Sequence, residues 1–164
     1  MPMYRLFLMR HGEAGWAKND LLRPLTAQGR IQATVSGNWM REKEYFPTTI
    51  YCSPSERTLE TVAIVEKILG TAGNCGVKVV DSLYDSTIST IKNTLQSNFS
   101  SRSMLLIGHN PGLMDFLTWM CGVESDLHGG FFDFSTGSVC ILVCSLENQA
   151  FTYGCAHIID SINP

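Results

Sequence analysis

No uninterrupted apolar stretch in this sequence approaches the roughly 20 residues that a membrane-spanning helix needs. The run from Met1 to Met9 is interrupted by Arg5 and closed at once by Arg10-His11-Gly12-Glu13, leaving no room for a signal peptide's apolar region and cleavage site. An excess of charge of one sign is absent too. The formal net charge of −3 provides no basic surface to hold nucleic acid or an anionic membrane, so any anion site must be local. The expectation is a cytoplasmic protein with neither nucleic acid nor membrane as partner. Six cysteines are present, but without a CxxC pair or the paired Cys/His spacing of a zinc site. They read as free buried thiols, and no metal and no cofactor is expected. Asn98-Phe99-Ser100 matches a glycosylation acceptor, which in an unsecreted chain is a chance match.

The 164 residues, 45% hydrophobic and 16% charged, suit one compact domain over residues 1–164 with a substantial core. Residues 4–9 form a bulky apolar run that ends abruptly at Arg10-His11-Gly12, as a buried strand feeding a loop does. Thr26 caps a helix reaching about Lys43, with Ile31, Val35, Trp39 and Met40 at helical spacing on an apolar face. Residues 49–52 read as a second strand. Ser53-Pro54 follows as a cap with proline at the first helical position, and that helix runs to about Leu69 and stops at Gly70. A third strand covers 77–80, and Ser86 caps a helix over 87–96. A fourth strand covers 104–107, and a helix opening after Pro111 runs from Gly112 to Cys121. Residues 138–145 and 151–157 read as an antiparallel pair joined around Glu147-Asn148.

Strands and helices in alternation predict an α/β fold, a three-layer α/β/α sandwich with a mostly parallel central sheet and an antiparallel C-terminal strand pair. Sheets of this kind bind ligands beyond the carboxyl ends of their strands. Three polar clusters fall there: Arg10-His11-Gly12, Ser53 to Arg57, and Gly108-His109-Asn110. Together they hold two histidines and two arginines, with no GxSxG elbow, no phosphate loop and no HExxH motif. Guanidinium forks grip tetrahedral phosphate oxygens, and imidazole can attack phosphorus or donate to an equatorial oxygen. The combination points to phosphoryl transfer.

At these residues the sequence resembles the histidine phosphatases, in their phosphoglycerate-mutase-like branch. The likeness is carried by Leu8-Met9-Arg10-His11-Gly12-Glu13, Leu25-Thr26-Ala27-Gln28-Gly29, Ser53-Pro54-Ser55-Glu56-Arg57-Thr58 with Thr61, and Gly108-His109-Asn110. Arg-His-Gly alone arises by chance in about one chain of this length in a hundred, whereas four pieces in the family's order are far more specific. Within the family the resemblance runs to the short SixA-type phosphohistidine phosphatases, through Arg23-Pro24-Leu25-Thr26, Leu83-Tyr84-Asp85-Ser86 and Gly108-His109-Asn110-Pro111-Gly112. No inserted segment is long enough to roof a pocket as in larger relatives.

The resemblance implies that His11 is the nucleophile, with Arg10, Arg57 and a protonated His109 around the phosphoryl oxygens. Gly12 and Asn110 would add hydrogen bonds, and Arg23 would line the rim. No metal is implied, because the arginines supply the positive charge. The family's leaving-group acid has no clear counterpart; Asp85 is the nearest candidate, with Glu13 and Asp20 behind it. An imidazole leaving group needs less protonation than an alkoxide, which favours phosphohistidine as substrate. The expected partner is then a phosphorylated protein, a histidine phosphotransfer domain or a phosphocarrier. Alternatives are a broad phosphomonoesterase for small phosphorylated substrates and a catalytically idle phospho-binding module. Elsewhere His128 and His157 read as structural, Trp39 as core, and Arg5, Arg30 and Arg41 as solvated. Trp16 contacts substrate or packs, and Gly129-Gly130 precedes the core residues Phe131, Phe132 and Phe134.

Overall fold

In the first strand the residues from Leu6 to Met9 are all buried, which an uninterrupted apolar run achieves only in a sheet covered on both faces. The computed structural model describes residues 3–70, 75–97, 101–122 and 133–164. Its strands are β1 (Met3–Arg10), β2 (Thr49–Cys52), β3 (Gly76–Val79), β4 (Ser103–Gly108), β5 (Val139–Ser145) and β6 (Ala156–Ile162). Its helices are α1 (Ala27–Glu42), α2 (Glu56–Leu69), α3 (Ile88–Gln96) and α4 (Gly112–Cys121), with single 3-10 turns at Asp20–Leu22 and Asp81–Leu83.

The sheet order is β3-β2-β4-β1-β5-β6; the first four strands run parallel, and β5 is antiparallel to both β1 and β6. Side chains alternate across β1 as the two-residue period requires. Tyr4, Leu6 and Leu8 join Leu95, Leu113 and Phe116 of α3 and α4 in one core, while Phe7 and Met9 join Met40, Val62 and Val65 of α1 and α2 in the other. This is the three-layer α/β/α arrangement that the sequence implies. Registers Arg10↔Gly108 and Cys52↔Ile107 bring the carboxyl ends of β1, β4 and β2 level, so the three polar clusters emerge side by side.

Several element boundaries differ from expectation. Ser53-Pro54 does not open α2; the chain turns there and the helix starts at Glu56 behind Ser55. Thr87, not Ser86, caps α3, its hydroxyl accepting from the Thr90 N–H. The last strand lies later than 151–157, because Phe151 is buried outside the sheet and pairing begins at Ala156. The Asn110–Pro111 bond is cis, and Pro111 stands directly ahead of α4. All six cysteines are unpaired as expected. His128, Gly129, Gly130, Phe131, Phe132 and the Asn98-Phe99-Ser100 acceptor lie outside the described residues.

The larger correction concerns α1. Ile31 and Val35 are 55% and 42% exposed, and the buried face is instead Gly29, Ala33, Ser36, Gly37 and Met40. Small side chains let α1 approach closely: a Cβ on Gly37 would reach the Ile68 side chain at 3.0 Å, and a Cβ on Gly29 would collide with the Glu13 carbonyl. Gly29→Ala is therefore expected to lower unfolding free energy by about 2–3 kcal/mol. Ile31→Ser, on the supposed core face, should stay within about 0.5 kcal/mol. Urea titration of the two variants checks both.

Candidate active site

Beyond the ends of β1, β2 and β4 lies a cleft of about 560 Å³, lined by residues of all three polar clusters. His11, 7% exposed, forms part of its floor. Its Nδ1–H donates to its neighbour's carbonyl, Gly12 O, at 2.7 Å, which leaves the lone pair on Nε2. That assignment is supported from the other side of the ring, where Arg57 Nε–H points at Nε2 from 3.4 Å and can only donate. Gly12 in turn is held by its N–H on Thr61 Oγ1 at 3.1 Å and by close packing, since a Cβ on it would collide with the Gly29 carbonyl. Both backbone polar groups of Gly12 thus act within the protein, orienting the His11 ring.

His109 faces His11 with ring centroids 5.1 Å apart. Its Nδ1 accepts from Arg57 Nη2 at 3.4 Å, so its Nε2–H donates to Ser53 Oγ at 2.7 Å. Burial, reinforced by His11 and Arg57 and opposed by Asp20, pushes the His109 imidazole down to about 3. These groups hold the ring neutral, while the protonated His109 that the resemblance implies belongs to the phosphoryl-bound site. His11 is held down at about 4, first by burial, with the Gly12 carbonyl opposing and the charges of Arg57, Arg10 and Arg23 adding to it.

Arg10 donates through Nη1 to Phe134 O at 3.1 Å, while its buried Nε finds no partner among the described residues. Burial lowers its pKa, with Asp133 opposing and Arg57 assisting. Asn110 Nδ2 donates to the same Phe134 carbonyl at 2.9 Å, and its Oδ1 is likewise unpartnered. Arg23 lines the cleft and ties down the loop beside His11, donating from Nε to Gly15 O at 2.8 Å and from Nη2 to Ala14 O at 3.4 Å.

The carboxylate that engages this cluster is Asp20. Arg57 donates from Nη1 to Asp20 O at 2.8 Å and from Nη2 to Asp20 Oδ2 at 3.2 Å. Tyr84 O–H donates to that same Oδ2, and Arg23 Nη1 reaches Oδ1 at 3.3 Å. The Tyr84 hydrogen bond, opposed by burial and then assisted by Arg57 and Arg23, holds the Asp20 carboxyl down at about 2. Asp85 and Glu13 also line the cleft, Glu13 accepting from Thr26 O–H at 2.8 Å. The sequence reading put Asp20 behind Asp85 and passed over Tyr84 and Ser53 as site residues. Tyr84 lay within the Leu83-Tyr84-Asp85-Ser86 motif and Ser53 within a polar cluster, so both had a signal, whereas the Phe134 carbonyl is backbone and had none.

Away from the cleft, Arg30 pairs with Glu60 at 3.1 Å, Arg5 lies over the Tyr45 ring, and Trp16 is 86% exposed. Among the described residues no group of three or more His, Cys, Asp or Glu side chains is placed to hold a metal, and no helix is long and apolar enough to cross a membrane. The depressed histidines set a stability trend. The unfolded chain takes up protons on these rings below about pH 6.5, while the native rings stay neutral until about 4 and 3. Stability is therefore complete above pH 6.5 and falls on acidification toward pH 3, by up to about 1.4 kcal/mol per pH unit per ring. Urea unfolding between pH 7 and 4 should show this slope, and it should flatten in His109→Asn.

The model of the histidine phosphatase superfamily, branch 1, matches residues 6–87. A 2,3-bisphosphoglycerate-dependent phosphoglycerate mutase of Bifidobacterium longum is 33% identical over 66 residues, 37% of this chain and 27% of the mutase. The phosphohistidine phosphatase SixA of Escherichia coli is 36% identical over 62 residues, 35% of this chain and 38% of that protein. The matches thus span well under half the length of these relatives. In three dimensions, a protein assigned as the phosphohistidine phosphatase SixA of Agrobacterium tumefaciens superimposes with a TM-score of 0.84 at 22% identity, covering 98% of each chain, a likeness of fold. The family model covers the half of the sequence that carries His11 and Arg57, and the chain belongs to the histidine phosphatase superfamily, branch 1.

Proposed function

We propose that the chain, one domain over residues 1–164, is a cytoplasmic phosphatase that moves a phosphoryl group from phosphohistidine on a partner protein to His11 Nε2 and then to water. The observation that carries this reading is the His11 ring itself, neutral, fixed in one tautomer by the Gly12 carbonyl, and presenting Nε2 beside the Arg57 guanidinium. A nucleophile needs that lone pair, and a ring protonated at pH 7 lacks it.

In-line attack spreads negative charge over the three phosphoryl oxygens. Arg57 and Arg10, whose side chains line the cleft, supply guanidinium donors for them. The arriving dianion opposes the burial that keeps His109 neutral, so that His109 gains a proton and becomes a third donor. Asn110 serves by holding the Phe134 carbonyl and Arg10 in place. Arg23 holds the loop at the rim. The scheme uses no cofactor and assigns no step to a metal.

A protein substrate is favoured by the short connections between motifs, among whose described residues no inserted segment roofs the cleft. One observation favours a second reading, a phosphomonoesterase for small substrates: Asp85 lines the cleft, and an alkoxide leaving group requires such a carboxyl as proton donor.

Incubation with a labelled phosphohistidine protein should trap an acid-labile phosphoryl group on the wild type and none on His11→Ala. Absence of label and of hydrolysis on every substrate would leave only a binding module. Arg57→Ala is expected to lower kcat/KM by about 100-fold or more. Side-by-side assays separate the two phosphatase readings: rapid turnover of a sugar phosphate, with none of phosphohistidine protein, rejects the first and selects the second.

A further inference from the structure

Arg57 is 6% exposed, and its guanidinium is already engaged on every nitrogen. Nε points at His11, Nη1 at the Asp20 carbonyl, and Nη2 at both the Asp20 carboxylate and His109. A phosphoryl group arriving at His11 must take guanidinium N–H groups that Asp20 now holds. Asp20 is the exposed member of the ion pair, half exposed on a single 3-10 turn, and such a partner yields readily to a doubly charged competitor. When it yields it is not released to solvent, because Tyr84 O–H and Arg23 Nη1 hold the carboxylate independently of Arg57.

We propose that Asp20 determines which phosphoryl carriers the cleft accepts: its carboxylate occupies Arg57 until a phosphoryl dianion replaces it, then faces the leaving group, favouring a cationic carrier over an anionic one. This rests on the reading of Arg57 as a phosphoryl ligand. His11 lies on the floor, so an in-line leaving group departs toward the open mouth, where Asp20, Asp85 and Glu13 are the carboxylates lining the cleft among the described residues. The cation at that rim, Arg23, is paired with Asp20. The cleft is thus positive where a phosphoryl head binds and negative where its carrier emerges, a pattern that attracts one class of substrate and repels another.

Protonated phosphoimidazole fits this pattern. One ring nitrogen carries phosphorus and the other a proton, so the ring is cationic beside Asp20. As the His11 Nε2 lone pair forms its bond to phosphorus, the electrons of the breaking P–N bond return to the departing nitrogen. The ring leaves as neutral imidazole with the proton it already carried. The positive charge passes to the His11 ring, whose Nδ1–H stays on the Gly12 carbonyl. No separate proton donor is consumed. An alkyl phosphate offers Asp20 no cation, and a bisphosphate brings it a second anion.

The test compares wild type, Asp20→Asn and Asp20→Glu for inhibition by orthovanadate and for kcat/KM on phosphoimidazole and on phenyl phosphate. Asn removes the charge and keeps one acceptor oxygen, which serves Tyr84 or Arg23 but not both, since the two hold different carboxylate oxygens. Asp20→Asn should bind vanadate about tenfold more tightly, and the ratio of phosphoimidazole to phenyl phosphate turnover should fall about tenfold. Asp20→Glu, retaining charge, should keep that ratio within about threefold. If vanadate binding or the ratio is unchanged in Asp20→Asn while wild type still forms a phosphoenzyme, the role of Asp20 is overturned and the phosphatase reading stands. Failure of all three proteins to bind vanadate or to form a phosphoenzyme overturns both.

Discussion

The hydrogen bond from His11 Nδ1–H to the Gly12 carbonyl is short and local, yet the rest of the cleft is arranged around it. It needs the backbone to turn immediately after β1, and it survives only if Gly12 cannot drift. Thr61 of α2 holds the Gly12 N–H, and the N-terminal turn of α1 presses Gly29 against the same loop with no room for a side chain on either glycine. Two helices on one face of the sheet thereby determine which nitrogen of one imidazole carries the lone pair.

Electrostatics follow from how deeply that ring is set. Two arginines and two histidines share a poorly solvated floor, and the histidines lower the cost of this crowding by remaining neutral. The arginines cannot do so, and Asp20 supplies the counter-charge for Arg57 from the 3-10 turn after the first loop. The same carboxylate draws in Tyr84 from beyond β3 and Arg23 from ahead of α1, so one side chain at the mouth of the cleft links three segments of the chain.

Much of this was legible in the chain. Apolar runs that stop at polar residues marked β1, β2 and β4, because strands buried on both faces have no alternation to blur their ends. Gly70 marked the end of α2, where the backbone is left-handed at φ 53°. The buried face of α1 was misread, since Gly29, Ala33, Ser36 and Gly37 carry almost no hydropathy signal while the exposed Ile31 and Val35 carry a strong one. Packing there selects for small volume.

The sequence alone was sufficient to determine the layer order, the strand ends at which polar residues collect, and the identity of His11, Arg10, Arg57 and His109 as one constellation. Those follow from local periodicity and from residue types at strand termini. The tautomer of His11, the neutrality of His109 and the ion pair of Asp20 with Arg57 were decided only by tertiary structure. Each depends on distances of a few ångströms between groups dozens of residues apart and on how much water remains between them. A linear chain encodes such quantities only through the packing of all its elements at once.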